Sequence, residues 1–532
     1  MTLREELEGL DPMVKTRLAL PRKRRPASIT PRRQTGARAP DAGDAGDAPD
    51  AGLPGLVRAL ARSLNAQVIE THISWVLLTD DQAYKLKKPV HLPFVDYSTV
   101  EARRHFCAEE VRLNERLAPS LYQGVTRITG TLSAPALEGT GPVLEYAVQM
   151  RRFPDGALFC EQLEAATLRA DQVDRLVELL ADFHLRAPRR SASDQGGGPT
   201  PRRASALAAL DGVGALAIDA EAAALRAWIE AESAALAPLW ETRDKDGHVR
   251  ECHGDLHLGN VVSLDGDVAA FDCIEFSPAL RWIDIVDDLS FIVMDFAAHG
   301  RAGFAFRFLN GWLDRTGDHA GLPALRFSVV YRALVRAQVE SLRGPARDAV
   351  ARRYLKIALA WAVPGKPGLS ITHGLPGSGK TFGSQRLLEQ EGAIRLRSDV
   401  ERKRLFGLQI HEHSGAKGLQ IYQAGDTART YEYLLAMAGV ALRAGYPVIL
   451  DAAFLARPER ARALELARSM RVPFSILTCH APLPVLRARI LGRVNDASEA
   501  DVAVLERLHA VAEPLSGEEI GFAREMPGGV LP

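Results

Sequence analysis

The chain has 532 residues, of which 47% are hydrophobic and 25% are charged, a composition typical of globular proteins. Its 66 basic and 66 acidic residues give a net charge of zero, which argues against nucleic acid as a bulk partner. The five scattered cysteines form no C-x-x-C pair, which argues against a disulfide framework or a structural zinc site. No apolar run reaches about 18 residues and no signal peptide is evident, so we expect a cytoplasmic protein without a membrane span.

Residues 1–52 differ from the rest of the chain. A basic stretch, Lys15–Arg38, is followed by a low-complexity run of Asp, Ala, Gly and Pro, Asp41–Asp50. Because few large apolar residues are present to offset the entropy of ordering, we expect a disordered tail. The basic stretch could touch nucleic acid or acidic lipid, but a solvated tail is the favoured interpretation.

After this tail the hydrophobic pattern is that of a folded protein. The elements predicted first are helix 53–64, strands 73–78 and 83–87, helix 100–117, strand 143–152 and helix 168–185. Residues 186–203 are predicted as a loop or lid, and an Ala-rich helical stretch runs to about Trp240. Mostly helices follow, up to Trp361. A linker rich in Pro and Gly, 364–368, then leads to a new strand, 369–373.

A group of polar residues spaced for phosphoryl transfer lies near the middle of the chain. The motif HGDLHLGN begins at His253 and places Asp255 five positions before Asn260, while Asp272 follows a predicted hairpin. The D-x4-N spacing is that of a kinase catalytic loop. In this pattern Asp255 can accept the proton of an attacking hydroxyl, and Asn260 and Asp272 offer oxygen ligands to Mg²⁺.

In its H-G-D form, this motif resembles that of the aminoglycoside phosphotransferase family, which shares the protein kinase fold. The resemblance implies a lysine that binds the ATP phosphates on the strand 83–87, where Lys85 is favoured and Lys87 remains open. It implies a glutamate partner on the next helix, Glu110 or its rival Glu109. It also implies a hinge around Met150 that meets the adenine.

Two further features bear on this resemblance. No G-x-G-x-x-G loop precedes the lysine strand, which weakens the likeness to protein kinases more than the likeness in fold. Asp284 and Asp288 resemble the family's acids that follow the metal-binding loop, and a scaffold role is favoured for both. His257 lies within the catalytic loop and is interpreted as shaping it.

A second phosphate-binding signature, G-x4-G-K-T, follows the strand 369–373 and precedes a predicted helix, 382–391. Its glycines let backbone N–H groups converge on a phosphate at a helix N-terminus. Lys380 can reach the β- and γ-phosphates, and Thr381 offers its hydroxyl to Mg²⁺. The residues predicted to bind nucleotide here are Gly374, Leu375, Pro376, Gly377, Ser378, Gly379, Lys380 and Thr381.

Acidic and basic residues after this loop favour a kinase. Asp399 ends a predicted strand about twenty residues past the loop, where it can hold or deprotonate an acceptor hydroxyl; a plain helix cap is the alternative. Asp451 ends a third predicted strand and is suited to Mg²⁺ or substrate binding. Arg487, Arg489 and Arg493 have helical spacing and predict a lid that closes on the phosphates, or else a solvated helix face.

The second set of motifs resembles small P-loop kinases related to zeta toxin and chloramphenicol phosphotransferase, a group that also carries the label AAA family ATPase. His411 and His413 could ligate a metal, but no third ligand is evident in the sequence. A loop face is the favoured interpretation of that pair.

The predicted fold class is therefore α/β and α+β. A bilobal protein-kinase-like domain is expected at 53–363, and a P-loop NTPase domain with three α/β/α layers and a parallel sheet is expected at 368–532. The order of domains resembles a bacterial two-domain family. We expect a bifunctional phosphotransferase that uses ATP and Mg²⁺ and acts on hydroxyls of small molecules. Two alternatives stay open: one active kinase beside a regulatory nucleotide-binding ATPase, and a kinase of protein, RNA or nucleotide sugar. The substrates and the oligomeric state are not predicted.

Overall fold

The computed structural model describes residues 52–92, 95–190, 202–493 and 496–526. The predicted disordered tail lies outside the described residues except for Gly52, and so does most of the predicted loop 186–203.

The described chain forms two compact units. The first unit contains the described residues up to Phe153 together with Val339–Ala349. The second unit contains Pro154–Gln338 together with the described residues from Val350 onward. The domain boundaries at 363 and 368 remain predictions.

The first unit is built on an antiparallel sheet and two helices. Its elements are α1 (Leu53–Ser63), β1 (Gln67–Glu70), β2 (Ser74–Leu78), β3 (Gln82–Lys87), β4 (His91–Leu92), β5 (Val95–Asp96), α2 (Val100–Asn114), β6 (Tyr122–Thr131), β7 (Ala134–Leu137) and β8 (Val143–Arg151). Six strands form one sheet in the order β1-β2-β3-β8-β6-β7, and every neighbouring pair is antiparallel. β4 and β5 form a separate two-stranded ribbon.

The alternation of side chains along β3 separates a core face from a polar face. Leu56 and Leu60 of α1 share one hydrophobic cluster with Trp75 of β2 and with Tyr84 and Leu86 of β3. Because successive side chains of a strand point to opposite faces, the intervening lysines of β3 lie on the other side of the sheet. The packing of α1 thus leaves the polar face available for a functional site.

The second unit begins with a region that we call the helical lobe, residues 154–338 and 350–362. Its elements are α3 (Phe159–Glu164), α4 (Ala170–Arg186), α5 (Arg202–Val213), α6 (Asp219–Lys245), β9 (Val249–Glu251), β10 (Val261–Leu264), β11 (Asp267–Ala270), α7 (Pro278–Arg281), β12 (Trp282–Asp284), α8 (Ile285–Ala298), α9 (Ala302–Thr316), α10 (Leu322–Leu342) and α11 (Asp348–Ala362). β10 and β11 form an antiparallel hairpin, and β9 pairs with β12. Helix α8 is buried over nearly its whole length, including its aspartates Asp287, Asp288 and Asp295.

The rest of the second unit, residues 369–526, we call the P-loop domain. Its elements are β13 (Leu369–His373), α12 (Lys380–Glu391), β14 (Ile394–Arg397), α13 (Ser398–Leu405), α14 (Ala424–Arg443), β15 (Val448–Asp451), α15 (Arg457–Met470), β16 (Phe474–Thr478), α16 (Leu483–Leu491), α17 (Val502–Val511), α18 (Gly517–Ile520) and β17 (Ala523–Glu525). Its five strands form a parallel sheet in the order β14-β15-β13-β16-β17. The central strands β13 and β15 are buried at every position, because helices cover both faces of a parallel sheet.

An antiparallel sheet with a helical lobe, followed by a parallel α/β domain, confirms the predicted fold class. The predicted strand ending at Asp399 stops instead at Arg397, because Ser398 begins α13. The Ala-rich stretch is two helices, the second of which continues through Pro238 to Lys245. Strand β6, which is ten residues long, was not among the predicted elements. No helix among the described residues is long and apolar enough to cross a membrane.

Candidate active sites

Two lysines of β3 share one glutamate of α2. Lys85 Nζ lies 2.8 Å from Glu110 Oε1, and Lys87 Nζ lies 2.7 Å from Glu110 Oε2. The side chain of Lys87 is 1% exposed and that of Lys85 is 14% exposed, so Lys85 is the more accessible of the two. Each lysine has the glutamate contact that the resemblance implies, and the choice between them as the ATP lysine therefore stays open.

The rival glutamate and the predicted hinge lie elsewhere in the same unit. Glu109 pairs with Arg112 of its own helix, with 2.6 Å between Glu109 Oε1 and the arginine nitrogen. Met150 is buried in β8, opposite Ala83 of β3. Contact of Met150 with adenine stays a prediction.

In the second unit, the loop that carries Asp255 is held by an aspartate of α8. Asp288 is fully buried and accepts the backbone N–H groups of His253 at 3.1 Å and Gly254 at 2.9 Å. It also contacts Nε2 of His184 at 3.1 Å. Burial raises the pKa of Asp288, but the bonds from His184 and His253 outweigh it and lower that pKa to about 2. Asp288 therefore stays ionised and fixes the start of the loop.

The other acid that we interpret as scaffold, Asp284, has a different task. Both of its carboxylate oxygens accept from Arg243, at 2.7 and 2.8 Å, and Arg243 also binds Asp318. Asp284 caps α8 by accepting the N–H of Val286 at 2.9 Å. These contacts tie α6 to the start of α8.

Asp255 lies at the open side of this loop, with its side chain 39% exposed. Asn260 is buried beneath it and donates its amide nitrogen to the carbonyl oxygen of Asp255 at 2.9 Å. This bond uses Nδ2 and not Oδ1 of Asn260. Oδ1 is the side-chain atom of an asparagine that can ligate Mg²⁺. His257 accepts the N–H of Gly259 on Nδ1 at 3.0 Å, while its Nε2 lies 3.6 Å from Asp255 Oδ2.

A second histidine joins this loop to Asp272. His253 lies 2.9 Å from the carbonyl oxygen of Phe271 through Nε2 and accepts the N–H of Asp255 on Nδ1 at 3.3 Å. The N–H of Phe271 in turn donates to the carbonyl oxygen of Asn260 at 2.9 Å. Asp272 has a φ of +66°, a conformation that is uncommon for residues with a side chain and concentrates at functional sites. The structure therefore gathers Asp255, Asn260 and Asp272 in one cluster of loops.

Two arginines of α10, which were not among the residues predicted from the sequence, add positive charge around Asp255. Burial raises the pKa of Asp255, but His257, Arg336 and Arg332 are among the groups that lower it below its usual value. Arg332 is buried, and the guanidinium of Arg336 lies 5.5 Å from the ring centroid of Tyr354. Their i, i+4 spacing was the available signal, because it places both on one helix face. Asp255 is therefore ionised at neutral pH and able to accept a proton.

The glycines of the phosphate loop allow neighbouring backbone to approach closely. Gly374, Gly377 and Gly379 have φ values of +159°, +81° and +91°, a region that favours glycine. A Cβ atom on Gly374 would lie 2.4 Å from the carbonyl oxygen of Cys479, and one on Gly377 would lie 3.1 Å from that of Leu486. Larger residues therefore do not fit at Gly374.

The polar side chains of this loop are available to a phosphate. Lys380 Nζ donates to the carbonyl oxygens of Gly374 and Leu375, both at 2.9 Å. Burial lowers the pKa of Lys380, and nearby carboxylates oppose this effect. Ser378 Oγ is buried and has no hydrogen-bond partner among the described residues. Thr381, in the first turn of α12, is exposed. A phosphate would be a stronger partner for Lys380 than two neutral carbonyl groups.

Asp451 lies against the helix that follows the phosphate loop. It is 5% exposed and accepts a hydrogen bond from Ser384 Oγ at 3.0 Å. Ser384 Oγ also lies 3.1 Å from the carbonyl oxygen of Thr381. The two residues predicted to bind metal in this domain, Asp451 and Thr381, are thus linked through one serine.

Asp399 lies in the first turn of α13, at the carboxyl end of β14. Arg397 of β14 is in register with Asp451 of β15, so Asp399 and Asp451 both lie at the carboxyl edge of the sheet, where α/β folds bind ligands. Asp399 is close enough to Lys380 to act on the pKa of that lysine. The alternative role, an acid that stabilises the start of α13, also fits this position.

The three predicted lid arginines have different surroundings. Arg489 donates to the carbonyl oxygen of Gly377 at 3.2 Å. Arg493 is half-buried, acts on the pKa of Lys380, and has an NH1 atom without a hydrogen-bond partner among the described residues. Both therefore lie near the phosphate loop.

Arg487 instead lies on the solvent side of α16. Its side chain is 46% exposed and pairs with Glu506 at 2.6 Å. Helix α16 ends at Leu491, so Arg493 is not on it. The prediction that one helix carries all three arginines is therefore wrong. The structure brings Arg489 and Arg493 to the loop but leaves Arg487 on a solvated face.

In the described part of the chain, the group of side chains spaced to hold a metal is His184, Cys252 and Asp288. Both nitrogens of His184 are already used, because Nδ1 accepts from Trp312 Nε1 at 3.0 Å and Nε2 bonds to Asp288. This group therefore serves as scaffold. His411 and His413 are not part of a metal-binding group among the described residues.

Two family descriptions match separate parts of the chain. Residues 108–326 match the Phosphotransferase enzyme family, and residues 369–515 match a family described as AAA domain. The first match contains the loop of Asp255, and the second contains the phosphate loop. The resemblances drawn from the motifs are confirmed.

One relative spans both regions. The uncharacterized protein Rv2004c of Mycobacterium tuberculosis is 31% identical over 453 residues, which are 83% of this chain and 89% of the relative. The chain belongs to the family of this relative. This chain joins a phosphotransferase domain to a P-loop kinase domain.

Solved structures resemble single parts of the chain. A choline kinase from Cryptosporidium parvum is 9% identical and covers 58% of this chain and 95% of its own, with a TM-score of 0.36. A gluconokinase from Sinorhizobium meliloti is 20% identical and covers 31% of this chain and 85% of its own, with a TM-score of 0.24. At these TM-scores neither likeness carries an argument on function.

The residues in both regions fit ATP and Mg²⁺. The candidate metal ligands Asn260, Asp272, Thr381 and Asp451 all offer oxygen atoms, which Mg²⁺ prefers. The hydroxyl of Ser378, which has no partner in the part of the chain that the structure describes, and the glycine cradle at Gly374 suit a phosphate group.

Proposed function

We propose that this member of the two-domain family is a bifunctional ATP-dependent phosphotransferase, with one reaction centred on Asp255 and the other on Lys380 and Asp399. The observation that carries the proposal is that each matched region holds its own acid beside its own candidate metal ligands. Asn260 bonds directly to the Asp255 backbone, and Asp451 and Asp399 share the carboxyl edge of the parallel sheet.

In the helical lobe, Asp255 orients the acceptor hydroxyl and takes its proton as the phosphoryl group is transferred. Its lowered pKa keeps the carboxylate ionised, and its position on a loop clamped by Asp288 fixes its direction. Mg²⁺, when bound, would neutralise charge on the phosphates of ATP. Asn260 and Asp272 would hold it, because both belong to the same cluster of loops as Asp255.

In the P-loop domain, the backbone N–H groups from Gly374 to Thr381 hold the phosphates. Lys380 leaves the carbonyl oxygens of Gly374 and Leu375 and binds the phosphates instead. Arg489 and Arg493 add charge on the side of α16. Asp399 orients the acceptor hydroxyl, while Thr381 and Asp451 would hold the metal. Catalysis in both regions rests on positioning and charge stabilisation, which are the main contributions of proteins to phosphoryl transfer.

We further propose that the acceptors are hydroxyls of small molecules, which the match to the Phosphotransferase enzyme family supports. The alternatives are that one region only binds nucleotide as a regulator, or that the acceptor is a macromolecule or a nucleotide sugar. The experiment below separates them.

The test is phosphate transfer from ATP to a pooled metabolite extract, followed by mass spectrometry of phosphorylated products. The wild-type protein is compared with Asp255→Ala and with Lys380→Ala. Matched controls are Asp267→Ala, on the exposed tip of the β10–β11 hairpin, and Lys356→Ala, exposed on α11.

Loss of a different product in each of the two variants is the expected result, with both controls unchanged. If only one variant loses a product, the other region is regulatory and the bifunctional proposal fails. If neither changes the small-molecule products while ATP is still consumed, the acceptor belongs to another class.

A further inference from the structure

Helix α9 of the helical lobe lies along the edge strand of the P-loop sheet. Strand β14 is at one end of the sheet order, so one of its sides is not paired with any strand of the described residues. Arg307 of α9 pairs with Glu389 of α12 at 2.8 Å. A Cβ atom on Gly303 would lie 3.2 Å from the carbonyl oxygen of Glu389. One face of α9 therefore covers an edge that would otherwise be exposed.

Asn310 bonds to this edge as a neighbouring strand would. It is 1% exposed, its Oδ1 accepts the N–H of Arg395 at 2.6 Å, and its Nδ2 donates to the carbonyl oxygen of Ala393 at 2.9 Å. A side-chain amide has the same donor and acceptor as a peptide group. This pair of bonds fixes the position of β14 along α9.

One turn further along α9, Asp314 lies between two arginines of β14. Its Oδ2 is 3.7 Å from Arg395 and 3.6 Å from Arg397, and its side chain is 8% exposed. Its Oδ1 has no hydrogen-bond partner among the described residues. A buried carboxylate in this position balances the charge of both arginines and limits where each can point.

Both arginines lead to the phosphate site. Arg395 donates to the carbonyl oxygen of Thr381 and to Ser384 Oγ, both at 3.3 Å. Arg397 is the last residue of β14, is 17% exposed, and lies 3.7 Å from Asp496 on its other side. It immediately precedes the turn that carries Asp399. Asp314 therefore pairs with Arg395, which bonds to the first turn of α12. It also pairs with Arg397, which lies two positions before Asp399.

We infer that Asp314 of the helical lobe is a positioning residue of the P-loop site, which sets the direction of Arg397 toward the phosphoryl group in transfer. The phosphate chemistry of the P-loop domain then depends on a side chain supplied by the other matched region. The inference rests on the proposed function of the P-loop site, and its central measurement is a binding experiment that does not need turnover.

The experiment measures the affinity of the full chain for Mg·ADP and for Mg·ADP with aluminium fluoride, a mimic of the transferring phosphoryl group. Every protein compared carries Asp255→Ala. The contribution of the P-loop site is the nucleotide binding that is lost when Lys380→Ala is added. Asp314→Asn is expected to weaken the aluminium fluoride complex by about tenfold to a hundredfold, because small misplacements of charged groups act on the transition state. Affinity for ADP alone should change by less than about threefold, since Arg397 is not expected to contact ADP.

Two further variants separate positioning from general damage. Arg397 is the more exposed of the two arginines. Arg397→Gln should weaken the aluminium fluoride complex as Asp314→Asn does, and combining the two substitutions should weaken it little further. Asp314→Glu keeps the charge and should restore a large part of the affinity. The matched control is Glu389→Gln, which breaks another ion pair between α9 and the P-loop domain and should leave both affinities unchanged.

Equal affinity of wild type and Asp314→Asn for the aluminium fluoride complex would overturn the inference. Equal losses in Asp314→Asn and Glu389→Gln would also overturn it, because the effect would then be structural. An independent failure, absence of turnover that depends on Lys380 in the wild type, would reject the proposed function of the P-loop site and leave the role of Asp314 to be decided by the binding data.

Discussion

Substitution of Asp288 by Asn is expected to destabilise the loop that carries Asp255. Three donors converge on the Asp288 carboxylate: two backbone N–H groups, of His253 and Gly254, and Nε2 of His184. An asparagine has one oxygen in place of two, and its amide would direct a donor at another donor. No water can replace the lost partner readily, because Asp288 is fully buried.

The size of the effect follows from the pKa of Asp288. The fall from an ordinary value of 3.8 to about 2 corresponds to about 2 kcal/mol of stability. A donor left without a partner adds about 1–3 kcal/mol. We therefore expect a loss of about 3–5 kcal/mol at neutral pH. Because the pKa is lowered in the folded state, the charge contribution is complete above pH 3.8 and disappears as the pH falls to about 2.

The assay is urea unfolding of the full chain at pH 7, together with hydrogen exchange of the His253 and Gly254 amides. Asp267→Asn, on the exposed hairpin, is the matched control. Turnover that depends on Asp255 should fall in Asp288→Asn along with amide protection. If both amides exchange at wild-type rates and the unfolding free energy changes by less than about 0.5 kcal/mol, the reasoning is wrong.

Three other predictions follow from the same structure. Gly374→Ala should abolish nucleotide binding at the phosphate loop in calorimetry, because its Cβ would lie 2.4 Å from a backbone oxygen; Gly266→Ala, where a Cβ meets nothing within 4 Å, should not, and equal effects would contradict this. Arg489→Ala should lower turnover by the P-loop domain by about tenfold or more, while Arg487→Ala should change it by less than about twofold; similar losses in kinetic assays would restore the lid with both arginines. Burial lowers the pKa of His319 to about 4, so the free energy of unfolding should drop by about 3 kcal/mol as the pH falls from 6.5 to 4. In urea titrations His319→Gln should remove this dependence on pH, and a dependence that persists would refute the prediction.

The motifs themselves determined the number and kind of the candidate sites. The spacing of Asp255, Asn260 and Asp272 was sufficient, because backbone turns of fixed length bring those positions together. The loop ending in Lys380 was equally specific, since its glycines are needed by the local backbone. Hydrophobic periodicity likewise predicted α1, α2 and α4 close to their observed bounds, and the two motifs together indicated the fold class.

Sequence spacing could not separate residues that local structure treats alike. Lys85 and Lys87 lie on the same face of β3, and both contact Glu110, so alternation cannot choose between them. Arg487 and Arg489 are two positions apart and therefore lie on different faces of α16. Only the packing of that helix showed that Arg489 contacts the phosphate loop and Arg487 contacts Glu506.

The sequence by itself determined two kinase-like motifs, their order along the chain and the acids that we propose for each of them. The tertiary structure alone decided which side chains support those acids from a distance. Asn310 and Asp314 contact residues of β14, which lies far from them in the chain. No local pattern marks them, because a buried polar group is defined by what packs around it, and that is set only when the helices and strands assemble.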